Sequence, residues 1–151
     1  MRHIDARSAL NQYAKVKNGT GVVEATPHRL IQMLMEGALD KIAIAKFHIE
    51  KNEVGPKGES ISTALSIIDG LRVSLDKSAG GEIAENLDAL YEYMGFVLVE
   101  ANLNNNIAQL DEVSQLLREI KSAWDAIPGD VIMDHAGKAK AEDDKAVSNG
   151  G

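Results

Sequence analysis

The sequence predicts an all-α protein: an antiparallel four-helix bundle with a short N-terminal helix or arm and a disordered C-terminal tail. Three observations predict it. Apolar residues recur at spacings of three and four along four long stretches, the signature of one buried helical face. The connections between those stretches are short, so consecutive helices double back on one another. Only three of the 151 residues are proline and 44% are hydrophobic, which suits one domain with one core.

Taken in order, "RHIDARSALNQYAKVKN" suits a short helix or a loosely held arm, with "GTGVVEA" as linker, so residues 1–24 are set apart. The bundle is expected over residues 25–128. Thr26 is a suitable N-cap, and Pro27 falls at the first helical position, where its missing N–H costs nothing. Ile31, Leu34, Ala38, Ile42, Ala45 and Ile49 form the core seam of the first helix. Gly55-Pro56 and Gly58 punctuate before a second helix carrying Ile61, Leu65, Ile68, Leu71 and Leu75. Gly80 and Gly81 suit its stop, where a left-handed backbone is needed. The third helix is expected from about Glu82 to Leu103, with Ile83, Leu87, Leu90, Met94, Val97 and Ala101 inward. The fourth carries Leu110, Val113, Leu117, Ile120, Trp124 and Ile127, and Pro128 ends it. Residues 129–151 have no periodicity and read as a disordered tail.

Composition narrows the function. The formal net charge of −7 offers no basic field for nucleic acid or an anionic membrane. With no cysteine there is no disulfide, thiol nucleophile or thiolate ligand. The opening residues lack the apolar stretch of a signal peptide. Apolar runs such as "FVLV" fall far short of the roughly 18 residues a membrane span needs. A cytoplasmic protein that does not insert into membranes is expected.

Catalytic and metal-site patterns are missing as well. No E-x-x-H pair occurs, His3, His28, His48 and His135 are scattered, and the core seams hold no acid, so a carboxylate-bridged metal site has no ligands. Gly137-Lys138 is followed by Ala139 and lacks the spacing of a phosphate loop. No serine stands in a recognisable triad pattern. No enzyme, metal or cofactor is expected. Glu85, Asp88 and Glu92 share a flank of the third helix, and a solvated charged face is the plain reading.

Two helices carry more apolar surface than one core uses. At 100° per residue, Phe96, Val99 and Leu103 point nearly opposite the third helix's seam, while Tyr91 and Leu98 widen its edge. On the first helix Leu30, Met33, Gly37, Ile44 and Phe47 lie away from the seam. The second and fourth helices are mostly one-faced. In an up-down bundle the first and third helices occupy opposite corners, so one compact partner would not cover both faces. Exposed apolar patches of this kind usually mark an interaction site. Other arrangements remain open: the N-terminal arm caps a patch, the chain dimerises, or the helices are rotated from the ideal wheel.

"ATPHRLIQMLMEGALDKIAIAK", then "GGEIAENLDALYEYMGFVLVEANL" and "AWDAI", strongly resemble the FliS family, the flagellin-specific export chaperones of bacteria. Tyr13, Thr26, Pro27, Leu30, Ile31, Met33, Leu34, Gly37 and Ala38 match its pattern, as do Gly80, Gly81, Asn86, Leu87, Leu90, Tyr91, Tyr93, Met94, Ala101, Asn102 and Trp124. The resemblance covers roughly residues 10–127. Met35 departs from it, standing where the family often has Tyr. The resemblance implies a helical bundle that binds the disordered C-terminal segment of flagellin, prevents its premature polymerisation, and helps deliver it to the cytoplasmic gate of the flagellar export apparatus. On that basis Leu30, Met33, Ile44 and Phe47, with Tyr91, Phe96, Val99 and Leu103, are candidate groove walls. Gly37 would admit a client side chain close to the backbone. Leu10 and Tyr13 resemble the family's N-terminal element near the client groove, or simply cap the bundle. Asn86 and Asn102 anchor client backbone or cap a helix. The alternative is a homo-oligomeric helical scaffold, a homodimer in its simplest form, with no flagellin client.

Overall fold

The computed structural model describes residues 26–127, which form four α-helices. They are α1 (Pro27–Glu50), α2 (Val54–Val73), α3 (Lys77–Asn104) and α4 (Ile107–Asp125). Expectations for the arm at 1–24 and the tail at 129–151 lie outside the described residues.

Local chemistry sets the ends. Thr26 Oγ1 accepts from the Arg29 N–H at 3.1 Å, with Pro27 opening α1. The links are short: Lys51–Glu53, Ser74–Asp76 and Asn105–Asn106. Asn52 and Asn105 turn the chain at positive φ, a conformation asparagine tolerates better than most residues. The Asn106 side chain then caps α4 through the Gln109 N–H.

Several boundaries differ from expectation: Leu75 and Ile127 lie just past the ends of α2 and α4, and α3 begins at Lys77 rather than near Glu82. Helix α2 begins at Val54, so Gly55, Pro56 and Gly58 lie inside it rather than before it. The first-turn N–H groups of a helix have no intrahelical partner, so Pro56 removes no bond there. Gly80 and Gly81 do not stop α2, which already ends at Val73. They lie within α3, whose opening turn is capped by the Asp76 side chain accepting from the Ser78 and Ala79 N–H groups. Gly81 breaks that helix at φ 52°, ψ −128°, a backbone region essentially reserved for glycine. At Gly80 a Cβ would stand 2.8 Å from the Ala84 Cβ.

Links this short impose antiparallel neighbours, and cross-helix bonds show the result. The start of α1 meets the end of α4: Trp124 Nε1 donates to the His28 carbonyl at 3.0 Å, and His28 Nε2 lies 2.9 Å from the Trp124 carbonyl. The two rings stack at 4.9 Å. At the other end, Lys46 pairs with Asp111, and Lys57 Nζ donates to the Asn102 carbonyl and Asn105 Oδ1. Each helix packs on two neighbours in the order α1, α2, α3, α4 and back to α1, leaving α1 and α3 diagonally opposed.

The seams of α1, α2 and α4 are largely as expected. Leu34, Ala38, Ile42, Ala45, Ile61, Ile68, Leu71, Leu110, Val113 and Leu117 are all in the buried cluster, and Met35 joins them. The α3 seam needs correction. Met94, Val97 and Ala101 are buried, but Ile83 is 71% exposed and Leu90 is exposed too. Ala84, Tyr91 and Leu98 take the inward positions instead. The buried positions 84, 91 and 98 join 94, 97 and 101, so Ala84 and Tyr91 replace the expected Ile83 and Leu90 while Val97 stays inward. Ile83 lies in the first turn after the Gly81 break.

This register gives a direct test in urea unfolding. Leu98→Ala is expected to lose about 2–5 kcal/mol of stability, the cost of a core cavity. Leu90→Ala is expected to lose under about 1.5 kcal/mol, since its side chain is partly in water already.

Candidate functional site

Helix α3 keeps one face for the core and turns another fully outward. Phe96 is 70% exposed, Val99 48% and Leu103 77%, at i, i+3 and i+7. Gly95 packs beside Leu65 of α2, and Tyr93 on the other flank bonds Glu112 of α4. The strip between those flanks therefore faces away from both neighbours.

On α1, Ile44 and Phe47 are exposed. Lys51 Nζ hovers 5.7 Å from the Phe47 ring centre and His48 meets that ring edge-on. Because α1 and α3 run parallel across the bundle, both exposed sets lie toward their C-terminal ends. Val54, exposed at the start of α2, is at that end too. One end of the bundle thus carries unpartnered apolar side chains on two opposite corners, while Ile83 and Leu90 of α3 and Val73 of α2 are exposed nearer the other end.

The remaining candidates are placed otherwise. Met33 and Gly37 are buried, not on an open second face. A corner helix packs along both flanks, and α1 meets both α2 and α4, so its buried face is wider than a single stripe. Tyr91 is 3% exposed and belongs to the core, where burial pushes its phenol up to about 12. Leu30 is half-buried against the core near the opposite end, about 25 Å along α1 from Phe47. Leu10 and Tyr13 lie outside the described residues. Asn102 is half-buried, with its carbonyl taken by Lys57, while Asn86 is exposed.

Polar links hold the α3 flanks. Arg72 of α2 donates from Nε to Asp88 at 2.6 Å and from Nη2 to Glu92 at 3.2 Å. Lys77 lies 3.4 Å from Asp88. Glu100 accepts from Gln109 Nε2 at 2.9 Å. Val54 and Glu100 are not among the residues singled out from sequence, whereas Glu92 is read there only as part of a solvated charged flank; the base-free stretch around the two glutamates is the available signal. Among the described residues, no group of three or more His, Asp or Glu is arranged to hold a metal ion, and no helix is long and apolar enough to cross a membrane.

The family described as "Flagellar protein FliS" matches residues 9–130. The chain belongs to the FliS family. It is similar to a flagellar secretion chaperone of Pseudomonas aeruginosa, FliSB, at 51% identity over 122 residues, covering 81% of this chain and 97% of that protein. The FliS chaperones of Vibrio cholerae and Bacillus subtilis are 42% and 34% identical, covering 81% and 66% of this chain and 90% and 74% of their own lengths. FliS proteins are flagellar export chaperones rather than enzymes, a role that calls for a client-holding surface and no catalytic centre.

The hydrogen bond from Arg72 holds the Asp88 carboxyl below its ordinary value, with help from the Arg72 and Lys77 charges. A carboxylate so depressed stabilises the fold above its ordinary value, and that contribution fades as pH falls through the lowered one. The stability gap between the native chain and Asp88→Asn, read by urea unfolding, should be full at about pH 6 and close progressively below about pH 4.

Proposed function

We propose that the chain binds the C-terminal segment of flagellin in the cytoplasm, keeps it from polymerising early, and helps bring it to the flagellar export gate. The observation that carries this reading is the outward strip Phe96, Val99 and Leu103 on a helix whose other face is already buried in the core. Membership of a family of flagellar secretion chaperones supports a flagellar client for it.

The working unit is residues 25–128. Phe96, Val99 and Leu103 form one wall and Ile44 and Phe47 the other, at one end of the bundle. Leu30 offers a smaller contact at the opposite end, and Leu10 and Tyr13 are proposed as further client contacts. Met33, Gly37 and Tyr91 are buried and are not proposed as open client walls. Because the two walls occupy diagonal corners, the client is a long segment that passes around the bundle, not a compact domain. Binding needs no nucleotide. Apolar burial of about 1.5–3 kcal/mol per large side chain offsets an ordering cost of about 2–5 kcal/mol.

Phe96→Asp tests this reading. Its side chain is exposed in the isolated chain, so helicity and melting temperature should stay nearly unchanged. Affinity for a fluorescent flagellin C-terminal peptide should fall at least tenfold in an anisotropy titration. Unchanged affinity would refute the assignment of this wall. Loss of concentration-dependent self-association in sedimentation, with no effect on peptide binding, would favour the homo-oligomeric scaffold instead.

A further inference from the structure

The electrostatic setting of the α3 strip has a definite sign. From Ser78 to Leu117 the chain contains no lysine, arginine or histidine, and it carries Glu82, Glu85, Asp88, Glu92, Glu100, Asp111 and Glu112. Some of these acids are engaged by cations from elsewhere: Asp88 by Arg72 and Lys77, Glu92 by Arg72, and Asp111 by Lys46. Glu100 and Glu112 accept only from the neutral donors Gln109 and Tyr93 among the described residues.

Two of these acids frame the strip directly. Glu92 and Glu100 stand four residues before and four after Phe96, about 6 Å along the axis on either side. Both are exposed. Each keeps carboxylate acceptor capacity beyond the single bond it makes. Farther along the same outward face, Glu85 lies seven residues before Glu92 and forms no ion pair with a described residue. The surface is thus apolar at Phe96, Val99 and Leu103, and anionic one turn away in each direction from Phe96.

We propose that this strip takes a client segment in which lysine or arginine side chains stand about one helical turn from the apolar anchors, their charged heads meeting Glu92 and Glu100. Such side chains suit both parts of the surface. Their methylene stems lie on Phe96 and Val99 while the cationic heads reach the carboxylates and stay in water. An acidic segment would meet like charge on both sides of Phe96. The inference rests on the strip being the client wall, and it adds the chemistry by which that wall selects.

The test uses the full chain and a peptide of the last forty or so residues of the same organism's flagellin. Its affinity is measured for the native chain, for Glu92→Gln/Glu100→Gln, and for Glu119→Gln as a remote acidic control on α4. At about 50 mM salt the double variant should bind about fivefold more weakly, the size expected for two exposed ion pairs. At about 500 mM salt the difference should vanish, and the control should match the native chain at both concentrations. Replacing every Lys and Arg of the peptide with Gln should weaken its binding to the native chain to the same degree at low salt, with no further loss in the double variant. Equal affinity of the double variant and the native chain at low salt overturns the proposal, as does a loss that persists at high salt. A peptide stripped of lysine and arginine that binds the native chain as tightly as the unaltered peptide at low salt also overturns it. Phe96→Asp run in parallel separates the two levels: if it leaves affinity unchanged, the client-wall reading itself has failed and this inference falls with it.

Discussion

The connections between helices are the constraint on which the rest of the structure depends. Links of Lys51–Glu53, Ser74–Asp76 and Asn105–Asn106 are too short to carry the chain anywhere but back alongside the helix it has just left. The four helices therefore close into a ring, and α1 and α3 come to lie on a diagonal, running the same way. Their outward faces point in opposite directions and cannot cover one another. Each face is apolar toward the C-terminal end of its helix, so the bundle completes its core and still leaves two apolar walls at one end. The same end is drawn tight by Lys57, whose ammonium donates to the Asn102 carbonyl in the last turn of α3 and to the side-chain oxygen of its cap, Asn105. The opposite end is closed by the stacked, mutually bonded His28 and Trp124.

Much of this was legible in the sequence, because period and turn chemistry speak directly. The Thr26-Pro27 start, the asparagine turn before α4, and the seams of α1, α2 and α4 follow from local rules that tertiary packing did not override. The α3 seam was harder. Two heptad patterns share Leu87, Met94 and Ala101, and they differ in whether Ile83 and Leu90 or Ala84 and Tyr91 complete the face. Hydropathy favours the isoleucine and leucine. Packing favours the other set, because the helix restarts after Gly81 and its first turn then leaves Ile83 in water. Leu98, fully buried beside Tyr91 and Met94, was the available hint, since it continues the 84, 91 spacing. Phe96, Val99 and Leu103 point outward in either register, which is why that wall could be read without knowing the correct one.

The first helix shows the opposite limit. A wheel treats everything off the main stripe as outward, yet Met33 and Gly37 are enclosed because α1 packs on two neighbours. Only Ile44 and Phe47 of that set stand open. Sequence periodicity reports how far a residue sits from the seam, whereas exposure also depends on how far neighbouring helices wrap round. The acidic surroundings of the α3 strip were visible as a base-free stretch, but their relation to Phe96 emerged only once Glu92 and Glu100 were seen to share its exposed side.

A surface of this kind costs the isolated chain solubility rather than stability, since its apolar groups face water in both folded and unfolded states. Such a surface suits the long client proposed above, with each contact contributing modestly. The central claim is that client and chaperone bury apolar surface together as the client orders. Calorimetric titration with the flagellin C-terminal segment at several temperatures measures this most directly. The account predicts one-to-one binding with a large negative heat-capacity change. Absent binding, or binding with a heat-capacity change near zero, would contradict it.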